Sequence, residues 1–173
     1  MILRIFGFNL YLLAAIPMAM LVAGCDTFQK KGKAEEASLR FHLEVNAAGG
    51  GQGTNVFIGQ TSPFAVTVDR TPFLSEFDME WAKVGDAIGG FAMIIQFSAE
   101  GTMLLEQYTT VYRGRHVGIL AEFGQFRWIA APVMHNRIAN GQFIFTPDTT
   151  REEAEKIARG LNRVAELVRK GRK

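Results

Sequence analysis

The chain has 173 residues and a formal net charge of +2, with 19 basic residues set against 17 acidic ones. That balance leaves no electrostatic footprint for nucleic acid, and no nucleic-acid partner is expected. A single cysteine excludes an internal disulfide and a multi-thiol metal site.

Residues Ile5 to Gly24 carry no charge and follow a short cationic tip with Arg4. A charged tip, an apolar run and small residues before a cleavage point are the anatomy of a secretory signal. The run closes on Leu21-Val22-Ala23-Gly24-Cys25, which resembles the bacterial lipobox. The resemblance implies removal of residues 1–24 and a lipid on the Cys25 thiol that holds the protein to the membrane. The run is also long enough for an uncleaved spanning anchor. A soluble core helix fits worse, because the run has no polar face. Either of the first two readings places the rest of the chain outside the cytoplasm. Asp26, directly after the cysteine, resembles the retention signal of enterobacterial lipoproteins and favours the inner membrane. Cutting 24 residues from 173 leaves 149, one ordinary domain on a tether.

Residues 25–38 read as the lipidated cysteine and a polar, flexible tether. Residues 39–90 read as the N-terminal strands of the domain. Leu39, Phe41, Leu43 and Val45 alternate with Arg40, His42 and Glu44, the period of a strand with one wet face. The stretch Ala47 to Gly53 is too rich in glycine for a strand core and reads as a mobile loop. It lacks the Lys-Ser/Thr and the helix start that a phosphate cradle needs. Phe64, Val66 and Val68 predict a second strand. Phe77 to Trp81 predicts another, with Ala82, Val84 and Ala87 assigned to a turn or short helix.

Residues 91–170 carry the clearest pattern. Ala92 to Phe97 is a short apolar run suited to a central strand, and Ser98 can cap a following helix with Glu100 in its first turn. On that helix Met103, Leu104, Gln107, Tyr108, Val111 and Tyr112 form the predicted packing face, and Gly114 ends it. Val117–Phe123 and Phe126–Val133 predict a hairpin about Gly124-Gln125, with Pro132 implying an edge or bulge. Asn140-Gly141 marks a turn before a strand with Phe143 and Phe145. Thr149 with Glu152, and Thr150 with Glu153, offer overlapping capping boxes for a closing helix. Ala154, Ile157, Ala158, Leu161, Val164, Ala165 and Val168 form its apolar stripe. The expected architecture is α+β, an antiparallel sheet with two helices on one face.

This strand-helix-strand-strand-strand-helix order resembles the head of the first periplasmic domain of SecD, a subunit of the bacterial SecDF secretion complex. The residues that carry the resemblance are Ile95 to Gly101, the pair Val117–Phe123 and Phe126–Val133 with its Ala131-Pro132-Val133, Ile138, Asn140-Gly141, Phe143-Ile144, Thr146, and Thr149 to Ala154. It covers roughly 75 residues, the scale of one compact unit. Phe123-Gly124-Gln125 departs from the Asp-Gly turn usual in SecD. The resemblance stops short of SecD's membrane domain, so it implies a fold and an interaction surface rather than proton-driven translocation.

Residues that could carry chemistry are scattered. His42, His116 and His135 show no metal-ligand spacing, and Ser62, Ser75 and Ser98 sit in no nucleophile elbow. The acids Asp69, Glu76 and Asp78 could pair as acid and base, but strand-edge carboxylates usually solubilise. No catalytic residue, cofactor or metal is expected. Phe126 and Trp128, on one face of a predicted strand, are the candidate interaction residues, with an envelope protein as partner. A small extracytoplasmic hydrolase and a carrier of an apolar ligand are the alternatives.

Overall fold

The computed structural model describes residues 36–46 and 53–171. The leader, Cys25, most of the tether and residues 47–52 lie outside the described residues. The described chain forms β1 (Ser38–Leu43), β2 (Gly53–Ile58), β3 (Phe64–Asp69), β4 (Met79–Ala87), β5 (Gly90–Phe97), α1 (Ala99–Val111), β6 (Val117–Glu122), β7 (Phe126–Ala130), β8 (Gln142–Phe145) and α2 (Arg151–Gly171). The class is α+β and every ladder is antiparallel, as the patterning implied. The pairing is divided among three sheets, ordered β1-β6-β7, β2-β3 and β4-β5-β8.

Strand alternation builds the main core. Leu39, Phe41 and Leu43 of β1 join Val117, Ile119 and Ala121 of β6 on one buried face. Phe41 meets Phe97 of β5 edge-on at 5.4 Å and Phe143 of β8 at 5.5 Å. Such T-shaped pairs set the positive ring edge against the negative face. One ring therefore ties two sheets into one core.

The closing helix forms as its sequence specifies. Thr150 and Glu153 make the capping box: Glu153 N–H donates to Thr150 Oγ1 at 3.2 Å and Thr150 N–H to Glu153 Oε2 at 3.1 Å. The Thr150 N–H, with help from the Arg127 guanidinium, holds the Glu153 carboxyl below its ordinary range. Ala154, Ile157, Ala158, Leu161 and Ala165 are buried. On the same helix Asn162 reaches the outer edge of β4, where its Oδ1 accepts from Ala82 N–H at 2.7 Å and its Nδ2 donates to Ala82 O at 2.8 Å. The amide takes the place of a neighbouring strand at Ala82 and blocks that edge at this point.

The structure corrects three expectations. The buried stripe of α1 is Gly101, Leu105 and Thr109, whereas Met103, Leu104 and Val111 are exposed. Close approach decides this, since a Cβ at Gly101 would stand 2.7 Å from the Asp78 carbonyl oxygen. Thr109 satisfies its buried hydroxyl by donating to Leu105 O at 2.7 Å and accepting from Ile138 N–H at 3.0 Å. Second, Phe77 lies in a single 3-10 turn, Glu76–Asp78, capped by Ser75. The strand begins only at Met79 and runs through Ala82 and Val84 to Ala87. Third, β2 follows the glycine-rich stretch directly and pairs with β3 from Gly53↔Asp69 to Ile58↔Phe64.

Candidate functional site

The β2–β3 hairpin covers the outer face of the β1-β6-β7 sheet. Its own small core of Val56, Ile58, Val66 and Val68 packs against Trp128 and Ala131. Contact is tightest over Gly118, where an added Cβ would lie 2.9 Å from Val68 Cγ1 and 3.0 Å from Trp128 Cζ3. Glycine fits this place because it carries no side chain.

That cover changes the expected surroundings of two residues. His42, on the face of β1 that alternation assigns to water, is 5% exposed, its ring 5.1 Å from that of Trp128. Its Nδ1 lies 2.8 Å from Asp69 O, and a carbonyl can only accept, so the proton of the neutral ring sits on Nδ1. Nε2 is buried without a partner. Burial lowers the His42 pKa from 6.5, against the Asp69 carbonyl, which raises it. A pKa depressed in the folded state means that protons favour the unfolded chain. Stability should therefore fall as pH drops below 6.5 and level off once the folded pKa is passed. Denaturant midpoints measured from about pH 7 to about pH 5 should fall less steeply in His42→Phe than in the native protein. Identical slopes would show that His42 does not set the pH response.

Of the two candidate interaction residues, Trp128 is half-buried and spends its ring on the hairpin, whereas Phe126 is 67% exposed at the start of β7. Alternation does put them on one face. The hairpin covers only the far part of it.

The more open feature lies at the other end of the hairpin. A cleft of about 650 Å³ runs between the hairpin tip at Ile58–Phe64, the end of β7 at Ile129–Pro132, and β8 with its continuation at Ile144–Asp148. Only Asp148 among its lining residues is charged. That carboxylate is engaged structurally, with Oδ2 accepting from Gln60 N–H at 2.7 Å while Gln60 Nε2 donates to Asp148 O at 3.1 Å. The tip is thereby pinned to the segment that follows β8.

β8 pairs with β5 on one side only. Phe97 N–H donates to Gly141 O at 2.9 Å, so that pair is a hydrogen-bonded one. Antiparallel pairs alternate, which makes 95/143 and 93/145 hydrogen-bonded and turns the N–H and C=O of Gln142 and Ile144 away from β5. The same alternation turns Ala82 outward on β4, where Asn162 meets it. No β5 residue lines the cleft, so the cleft lies on the free side of β8. Ile144 is 57% exposed there. Sequence reasoning found β8 and missed the site, because whether an edge is open depends on the order of strands in the sheet.

No protein-family model matches the chain, and no curated sequence is significantly similar to it. Solved structures are similar. A SecDF structure described as a membrane component that enhances protein export matches with a TM-score of 0.53 at 22% identity, over 75% of this chain and 63% of its own. SecDF in a super-membrane-facing form matches with a TM-score of 0.55 at 22% identity, over 75% of this chain and 19% of its own. A third, from Thermus, reaches only 0.41 at 16% identity. The domain thus has a SecD-like fold, and this chain spans less than two thirds of the length of either of the first two.

Proposed function

We propose that this chain is a lipid-anchored envelope protein whose SecD-like domain binds a protein partner, without catalysis, in a role linked to protein export. The observation that carries the reading is the open β8 edge beside a cleft whose one charged lining residue, Asp148, is engaged by Gln60. The Gln142 N–H is taken by Asn140 Oδ1 at 3.1 Å, while the outward Gln142 carbonyl and the Ile144 N–H and C=O match an added strand, and the cleft accepts the side chains of that strand. The partner is an envelope protein presenting an extended segment. The likeness in fold to a SecDF component that enhances protein export supports the link to export. The lipobox-like Leu21 to Cys25 supports the anchor, and Asp26 favours the inner membrane with the domain facing outward.

A photo-crosslinking residue at Ile144 is expected to capture one defined envelope protein in living cells. The same residue at Ile88, on the exposed β4–β5 turn, is expected not to. Equal capture at both positions, or none at Ile144, would remove the binding reading. Cys25→Ser is expected to abolish fatty-acid labelling and leave a larger precursor, and persistent labelling would remove the anchor. Substrate turnover by the purified protein, lost on changing one acid or histidine, would overturn the non-catalytic reading.

A further inference from the structure

A second cleft, of about 350 Å³, lies where the start of β1, the 3-10 turn, the end of β6 and the last turns of α2 converge. Three carboxylates line it, Glu36, Glu76 and Glu122, and no cation does. Its remaining walls are largely apolar, with Ala37, Phe77, Val164, Leu167 and Val168. Ser38 Oγ makes a long hydrogen bond of 3.4 Å to Glu122 Oε2.

Glu76 is the unusual member. It is 6% exposed, it lines the cleft, and its Oε2 has no hydrogen-bond partner. A buried carboxylate without donors costs several kcal/mol of lost hydration, and such groups are paired or hydrogen-bonded in most proteins. The reading of Glu76 as a solvated edge acid is therefore corrected. Its backbone place is fixed by the Ser75 cap, in which Asp78 Oδ2 accepts from Ser75 N–H at 2.9 Å. The carboxylate is held there by the local fold.

We propose that this cleft receives an arginine side chain of the protein partner. The proposal deepens the protein-binding reading and rests on it. The guanidinium would donate to Glu76 and Glu122, while the methylenes of the same side chain lie along Val164, Leu167 and Val168. A planar fork can serve two carboxylates at once, and an apolar stem matches apolar walls. A hard metal ion would want oxygen on every side, which these walls do not offer. Phe77 and Leu167 stand exposed beside the cleft at 58% and 50%. Exposed aromatic and aliphatic side chains of this kind are covered at protein interfaces, where arginine is also enriched. A small cation would leave that rim uncovered.

The test uses full-length protein in nonionic detergent micelles with labelled valine and leucine methyls. Titration with N-acetyl-arginine amide is expected to shift Val164, Leu167 and Val168 saturably. N-acetyl-norleucine amide and magnesium chloride are expected to leave them in place. Glu76→Gln should weaken the arginine response about tenfold, the scale of a charge-assisted hydrogen bond, and Glu122→Gln should weaken it as an independent variant. Absent shifts, a response undiminished in both variants, or a stronger response to magnesium would each overturn the proposal. So would shifts that appear only after Lys30, Lys31 and Lys33 are changed to Gln, because the chain's own lysines would then be the occupants. Crosslinking at Ile144 is read separately, so a failed titration beside a captured partner sinks the arginine site and leaves the binding reading standing.

Discussion

Phe41→Ala should lower the unfolding free energy by about 3–5 kcal/mol, the range for removing a buried aromatic ring. Phe41 is fully buried where β1, β5 and β8 meet. Truncation removes the ring's own burial and leaves a cavity bounded by Phe97 and Phe143, which belong to a different sheet. The two edge-to-face contacts add to the loss, at about 0.5–1.5 kcal/mol for each pair. The neighbouring backbone has little freedom to collapse inward, since Phe41 N–H donates to Leu74 O at 2.9 Å and Phe73 N–H donates to Phe41 O at 2.9 Å. Equilibrium denaturation followed by far-ultraviolet circular dichroism would measure the change. A loss below about 1 kcal/mol would mean that the two sheets do not share this core.

Leu161→Ala should cost about 2–5 kcal/mol by the same two effects. Leu161 sits midway along α2, fully buried with Ile157 and Ala158 on the stripe that docks against β4 and the main core. The contrast with α1 sharpens this expectation. Met103→Ala removes an exposed side chain and should change stability by less than about 0.5 kcal/mol. A costly Met103→Ala or a neutral Leu161→Ala would show that the helices are packed through other faces.

How far the sequence could be read follows from these elements. α2 was legible because its stripe, capping box and length all agree with one another. β1 and the β6–β7 hairpin were legible from alternation, and the hairpin turn from Gly124, which adopts φ +96°. The packing face of α1 was not, because Gly101 and Thr109 are buried for their small size and their hydrogen bonds rather than their hydrophobicity. β2 was not, because Gly53 and Asn55 are weak strand formers and only Val56 and Ile58 are buried in it. Missing β2 hid the cover over His42 and Trp128, so both looked more accessible than they are. Phe126 remained a fair candidate because the hairpin does not reach it. The Glu76 cleft depends on β1, β6 and α2 meeting at one point, information that no local window holds.

The Asn162 clasp has a consequence for assembly. A sheet with two free edges can pass strand pairing from copy to copy and grow into a fibre. In the β4-β5-β8 sheet one edge is occupied by an amide of its own helix, which leaves a valence of one. Whatever strand docks on β8 ends the series there. Such a sheet can accept one added strand, and polymerisation through it has no second end from which to continue.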